Sequence, residues 1–155
     1  MTRWMALDVG EARIGVALSD PGGFLASPYT TLRVSRDELQ TLAAIQRLVN
    51  ETEAEGLVIG LPISLDGKIH AQGEHIQAFA GRLRPHITIP ITFWDERYST
   101  VEAERLLAGQ DEGRGRRNRR DRSARAHNRH SIDALAATVI LQEYLDDLRS
   151  KTEDR

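Results

Sequence analysis

The sequence predicts an α/β fold. It is built on a five-stranded mixed sheet, three antiparallel meander strands followed by two parallel strands, with helices on both faces. Three observations predict it. Three extended patterns follow one another through short turns between residues 4 and 34. Two later strand patterns are each entered through a segment of helical periodicity. The stretch from Ile132 to Leu141 is apolar almost all round, as in a helix packed deep against a sheet.

The elements follow in order. Trp4-Met5-Ala6-Leu7-Asp8-Val9 is a continuous run of the kind found in strands covered on both faces, and Arg13 to Ser19 repeats the pattern after a turn at Gly10 and Glu11. Phe24 to Val34 is extended but contains Pro28, which belongs at a sheet edge or a bend. Ser35 with Glu38 reads as a capping box opening a helix, with Leu39, Leu42, Ile45 and Val49 on one side. Gly56 to Gly60 is a short buried strand closed by Leu61-Pro62. A loop with Asp66-Gly67 leads to a helix carrying Ile76, Phe79, Ala80 and Leu83. Ile87, Ile89, Ile91 and Phe93 alternate with Thr88, Pro90 and Thr92, which is strand periodicity. Ser99 with Glu102 predicts a helix through Leu107, and a final helix is expected from about Ile132 to Leu148. Right-handed crossovers place the two later strands parallel to the first, on its other side.

One domain, residues 1–150, with a tail at 151–155, accounts for the 155 residues. There is no cysteine, so thiolate nucleophiles and Cys-based metal sites are excluded. No apolar run approaches the roughly 20 residues that span a bilayer, and no secretory signal opens the chain; a cytoplasmic protein is the expectation. The net charge of −2 conceals a strong asymmetry. Arg114, Arg116, Arg117, Arg119, Arg120, Arg122, Arg125 and Arg129 are opposed only by Asp121, so this stretch carries about +7 and the remainder about −9. A concentrated Arg segment on an acidic body suits a polyanion such as nucleic acid, and a loop at about 111–130 is expected to be mobile in the free protein.

Asp8 is the most informative residue. A lone carboxylate inside an apolar strand costs several kcal/mol unless it is paired, hydrogen-bonded or bound to a cation. Asp95 and Glu96 follow directly on a strand, where sites form in open α/β sheets. Asp133 is expected in the first turn of the final helix, with Ser131 as cap, where the helix dipole alone would favour an acidic residue.

Four segments, ALDVGEARIGVALSD (6–20), GLPISLDGK (60–68), WDERYSTVEAE (94–104) and IDALAATVILQEYL (132–145), resemble in this order the motifs of the YqgF/RuvX family. These are ribonuclease H-like proteins associated with Holliday junction resolution and with maturation of the small-subunit ribosomal RNA precursor. The resemblance implies a ribonuclease H-like fold with Asp8, Glu96 and Asp133 as an acidic triad. Ala12 departs from the pattern, standing where the family commonly has lysine, and Arg129-His130 replace a Lys/Arg cluster before the last aspartate.

An acidic triad suits Mg²⁺ or Mn²⁺, hard cations that keep water ligands and accept phosphate oxygens. Two such ions would serve an endonuclease cleaving phosphodiesters in branched DNA or precursor ribosomal RNA. Asp95 is the alternative to Glu96. Arg13, Lys68, Arg97 and the Arg segment are the candidate nucleic-acid contacts. The five histidines show no HExxH spacing. Resolving a four-way junction calls for two active sites, and hence for a homodimer, though no segment marks its interface. Two other functions compete: a binding factor in RNA processing or transcription that does not cut, and a sugar-kinase-like ATPase suggested by the DxG hairpin. The latter needs a second lobe that 155 residues do not supply.

Overall fold

The computed structural model of the chain describes residues 2–64, 66–96 and 121–153. The strands are β1 (Trp4–Val9), β2 (Arg13–Ser19), β3 (Ala26–Arg33), β4 (Gly56–Leu61) and β5 (Ile91–Asp95). The helices are α1 (Glu38–Thr52), α2 (Ala71–Leu83) and α3 (Asp121–Glu153), with a 3-10 turn at Arg84–His86. The sheet order is β3-β2-β1-β4-β5. β1 pairs antiparallel with β2 and parallel with β4, and β4 pairs parallel with β5. The expected five-stranded mixed sheet is therefore present, with β1 at its centre.

Alternation along β1 divides the core into two layers. Met5, Leu7 and Val9 face one side, where Ile14, Val16, Leu57 and Ile59 join them under Leu42, Ile45 and Val49 of α1 and Ile76, Phe79 and Leu83 of α2. Ala6 faces the other side with Ala17 and Val58, beneath Ala137, Ile140, Leu141 and Leu145 of α3. Trp4 and Trp94 close this second layer, each meeting Tyr144 edge to face at centroid distances of 5.0 and 5.8 Å. Trp94 Nε1 also donates to Glu143 Oε2 at 3.2 Å. Side chains on the α3 face of the inner strands are small, and this lets the helix lie close. A Cβ at Gly15 would overlap the backbone carbonyl of Asp133. Gly15→Ala should therefore lower stability by about 2 kcal/mol, as overpacked cores do. A denaturation midpoint equal to the parent's would show that α3 yields without cost.

Several elements differ from the sequence-based expectation. Asp37, not Ser35, caps α1, accepting the Leu39 N–H at 3.1 Å, while the Ser35 hydroxyl bonds Gln40. Leu39 is consequently in the first turn and 63% exposed, outside the apolar stripe. β3 starts at Ala26 because Asp20 holds the preceding turn: its carboxylate accepts the N–H groups of Leu25, Phe24 and Gly22, which keep it below its ordinary value of 3.8. Pro28 lies on the edge strand, as expected, beside an irregularity at Val16/Ala17. β5 begins only at Ile91, since Pro90 has no N–H to give; its carbonyl accepts the Leu57 N–H at 3.0 Å. α3 begins at Asp121, eleven residues before the expected Ile132, and ends at Glu153, into the expected tail. Of the loop expected at about 111–130, residues 121–130 are thus helical, and the remainder, like the helix expected over 99–107, lies outside the described residues.

Candidate active site

The α3 face of the sheet, at the carboxyl ends of β1, β4 and β5, gathers the acidic residues. Asp8 shares the face of Ala6 by alternation and stands opposite Gly15 in the β1–β2 ladder. Its carboxyl is raised from 3.8 to about 6, first by burial and then by the charge of Asp133. Glu96 extends the β5 ladder by one step, its N–H donating to Leu61 O at 3.1 Å. It therefore shares the face of Trp94, whereas Asp95 alternates to the face of Phe93. The sheet's own geometry thus favours Glu96 over Asp95 as partner of Asp8.

Glu96 fits this position because β4 has a glycine there. A Cβ at Gly60 would overlap Glu96 Oε1. That oxygen is buried and has no hydrogen-bond partner among the described residues. Burial, then the charges of Asp8 and Asp95, push the Glu96 carboxyl from 4.5 to about 7. Asp8 and Glu96 are accordingly two carboxylates whose charges oppose each other in a partly desolvated place.

Asp133 corrects one expectation. It lies in the body of α3 rather than its first turn, so the helix dipole does not account for it. Its backbone packs on Gly15, and its Oδ2 accepts from Arg13 Nε at 2.6 Å. Arg13, read from sequence as a nucleic-acid contact, is thus at the acidic site and joined to Asp133 across 120 residues of sequence. Among the described residues no three His, Cys, Asp or Glu side chains stand close enough together to share one metal ion. Asp8 is electrostatically coupled to Asp133 on one side and Glu96 on the other, but the three do not converge on a point.

The remaining candidates are placed as follows. Lys68 is exposed in the loop after β4, its N–H bonded to Asp66 Oδ1 at 2.9 Å. Arg122, Arg125 and Arg129 fall on the backbone of α3. Arg97, Arg114, Arg116, Arg117, Arg119 and Arg120 lie outside the described residues. His70 lies 3.4 Å from Asp66 at the surface. A cavity of about 400 Å³ opens on the opposite face of the sheet between Val9, Ile14, Arg36, His75 and Phe79, and none of the three carboxylates lines it. Gly15 and Gly60 were the site residues that sequence reasoning passed over. Their signal was a glycine inside an apolar strand, which marks close approach of another group.

Comparison with known proteins identifies the family. The family model described as RuvX, Holliday junction resolvase, matches residues 2–147. A protein of Caldanaerobacter subterraneus subsp. tengcongensis, named as a proposed pre-16S rRNA nuclease, is 40% identical over 96% of this chain and 99% of its own. One of a Roseiflexus species with the same name is 45% identical over 95% and 96%. Among solved structures, T. thermophilus RuvC in complex with a Holliday junction substrate superposes with a TM-score of 0.54, at 12% identity over 97% of both chains. Fowlpox virus resolvase with its Holliday junction DNA gives 0.57, at 8% identity over 94% and 98%. At such identities the two structures speak for the ribonuclease H-like fold alone, while the family model and the relatives cover nearly the whole sequence. The chain belongs to the RuvX family.

Proposed function

We propose that this protein is an endonuclease that hydrolyses phosphodiester bonds in structured nucleic acid, with Asp8, Glu96 and Asp133 as its catalytic carboxylates. The observation that carries the reading is the partly buried pair Asp8 and Glu96 on the α3 face, with the unpartnered Oε1 of Glu96 between β4 and α3. Family membership and the nuclease names of the relatives support the activity. The substrate follows from the same sources: a four-way DNA junction, as bound by the resolvase neighbours, or the precursor of the small-subunit ribosomal RNA, as the relatives' names state.

The donor set fits Mg²⁺ or Mn²⁺: carboxylate oxygens only, one of them buried with no hydrogen bond from the described residues. Asp8, central among the three, would hold the ion with Glu96, and Asp133 would complete the set once turned from Arg13. A bound divalent cation supplies activated water and charge stabilisation for phosphodiester hydrolysis. The chain's own residues do the rest. Arg13, bonded to Asp133, and Lys68, exposed on the loop after β4, would present cations to backbone phosphates. The packing of α3 on Gly15 fixes the height of Asp133 over the sheet, and Ile140, which a Cβ at Gly60 would also meet, keeps the Glu96 side of the site dry.

Cleavage of a four-way DNA junction and of an unprocessed ribosomal RNA precursor, each with Mn²⁺ and with EDTA, tests the reading. Cutting of either substrate that depends on both metal and Asp8 supports it and identifies the nucleic acid. Tight binding without cleavage under any metal would favour a binding factor instead.

The Arg segment belongs to the same proposal, as the part of a single domain at 1–150 that meets the polyanion. Each phosphate contact takes about 0.9 from the slope of log K against log salt. Replacing Arg116, Arg117, Arg119 and Arg120 with Ala should therefore weaken binding and flatten the slope by about 3.6 if all four meet phosphates. An unchanged slope would show that these side chains do not meet the substrate. A homodimer and a cytoplasmic location complete the proposal. Among the described residues no helix is long and apolar enough to cross a membrane.

A further inference from the structure

The Asp133 carboxylate lies between a cation and a second carboxylate. On one side Arg13 Nε donates to Oδ2 at 2.6 Å, a short charge-assisted bond. On the other is the β1–β2 ladder pair of Asp8 and Gly15, and the Asp133 backbone packs on that Gly15. A cation seated on Asp8 and Glu96 needs the Asp133 oxygens, yet no three carboxylates among the described residues stand close enough to share one ion. Asp133 is instead bonded to Arg13.

We infer that the Arg13–Asp133 ion pair is a latch, holding the third carboxylate away from the metal site until a backbone phosphate draws the guanidinium off or a cation draws the carboxylate. The inference rests on the metal-site reading above. Guanidinium donates to phosphate oxygens as it does to carboxylate oxygens, so the exchange conserves the hydrogen bond. The Arg13 side chain is 34% exposed and Asp133 23%, which leaves the cation open to an arriving strand. Once Arg13 has turned to phosphate, Asp133 carries an unbalanced negative charge beside Asp8, where a divalent cation is wanted. Nucleic acid and cation then strengthen each other's binding, each by the same factor. Arg13 acts through Asp133 and is a positioning residue.

The Nε–Hε signal of Arg13, followed by proton–nitrogen NMR on the full chain, tests the latch. In metal-free protein this proton should exchange slowly. Two arms follow, one adding Mg²⁺ alone and one adding a four-way DNA junction in EDTA, where nothing is cut. Release of Hε in both arms, with the Asp8 and Val9 amides shifting at the same Mg²⁺ midpoint, is the expected result. Arg13→Lys keeps the charge but loses the Nε–H, and calorimetry should show it binding Mg²⁺ about fivefold more tightly than the parent. A persistent Hε signal in either arm, while the Asp8 and Val9 amides follow Mg²⁺, overturns the latch and leaves the metal site standing. If Mg²⁺ shifts no signal of Asp8, Val9 or Glu96, the metal site itself falls and the latch with it.

Discussion

Asp8→Asn, Glu96→Gln and Asp133→Asn should each reduce phosphodiester cleavage by about a thousandfold or more, the scale seen when one member of a concerted set of catalytic groups is lost. In EDTA, affinity for nucleic acid should change little for Asp8→Asn and Glu96→Gln, because the proposed phosphate contacts are the arginines and lysine, while Asp133→Asn should raise it by freeing Arg13. Each replacement keeps side-chain size and removes one charge, so the folded protein should survive it. The Glu96 variant is the most diagnostic. Its Oε1 is buried against Gly60 with no hydrogen-bond donor among the described residues, the position in which a cation would add most. Single-turnover cleavage alongside equilibrium binding separates the two effects. Full activity in Asp8→Asn, free of contaminating nuclease, would rule out the carboxylate mechanism, and full activity in Asp95→Asn is expected from the strand alternation.

The second large effect is on stability. Asp8 titrates near 6 and Glu96 near 7 in the folded protein, against ordinary values of 3.8 and 4.5. Both are raised, so the unfolded chain loses these protons first as pH rises. Without metal, stability should therefore fall from about pH 4 to about pH 7 and stay low above it. The Glu96 shift alone corresponds to about 3 kcal/mol at pH 8. Asp8→Asn removes one of the opposed charges and eases Glu96 as well. In EDTA at pH 8 it should melt several degrees above the parent, a difference that shrinks towards pH 4 as the carboxylates are protonated in both states. Mn²⁺ should raise the parent more than the variant, by RT ln(1 + [L]/Kd). If Asp8→Asn melts well below the parent in EDTA at pH 8, Asp8 is a structural hydrogen-bonding residue and the site loses its central member.

Much of this was legible in the sequence because the inner strands are unambiguous. β1, β2 and β4 are continuous apolar runs, and the short turns and helical crossovers leave few topologies open. Asp8 stood out for the same reason, as one charge in an apolar run. Other features depend on what packs where. The Ile87–Phe93 alternation looked like one long strand, but Arg84–His86 forms a tight turn and Pro90 delays the ladder. The start of α3 was hidden because Asp121 to Ser131 is rich in charge and lacks an apolar period, though Arg and Ala are good helix formers. Asp133 was placed in a first turn for that reason, and its true partner, Arg13, lies too far along the chain for any local pattern to reveal it. The preference for Glu96 over Asp95 came from the family resemblance; sheet alternation supplies an independent physical reason for it.

The fit of α3 against Gly15 also sets an order in time. Chains are made from the N-terminus, and Asp8, Arg13 and then Glu96 leave the ribosome well before Asp133. Until the last helix exists, the sheet lacks the backbone that seats on Gly15, the apolar cover over Ala6 and Val58, and the third carboxylate together. If the three carboxylates act together as proposed, a half-made chain holds two acidic side chains on an uncovered sheet and no means to cut. For a nuclease born beside ribosomal RNA, a safety catch is written into the order of synthesis: the final packing step that completes the fold is also the step that arms it.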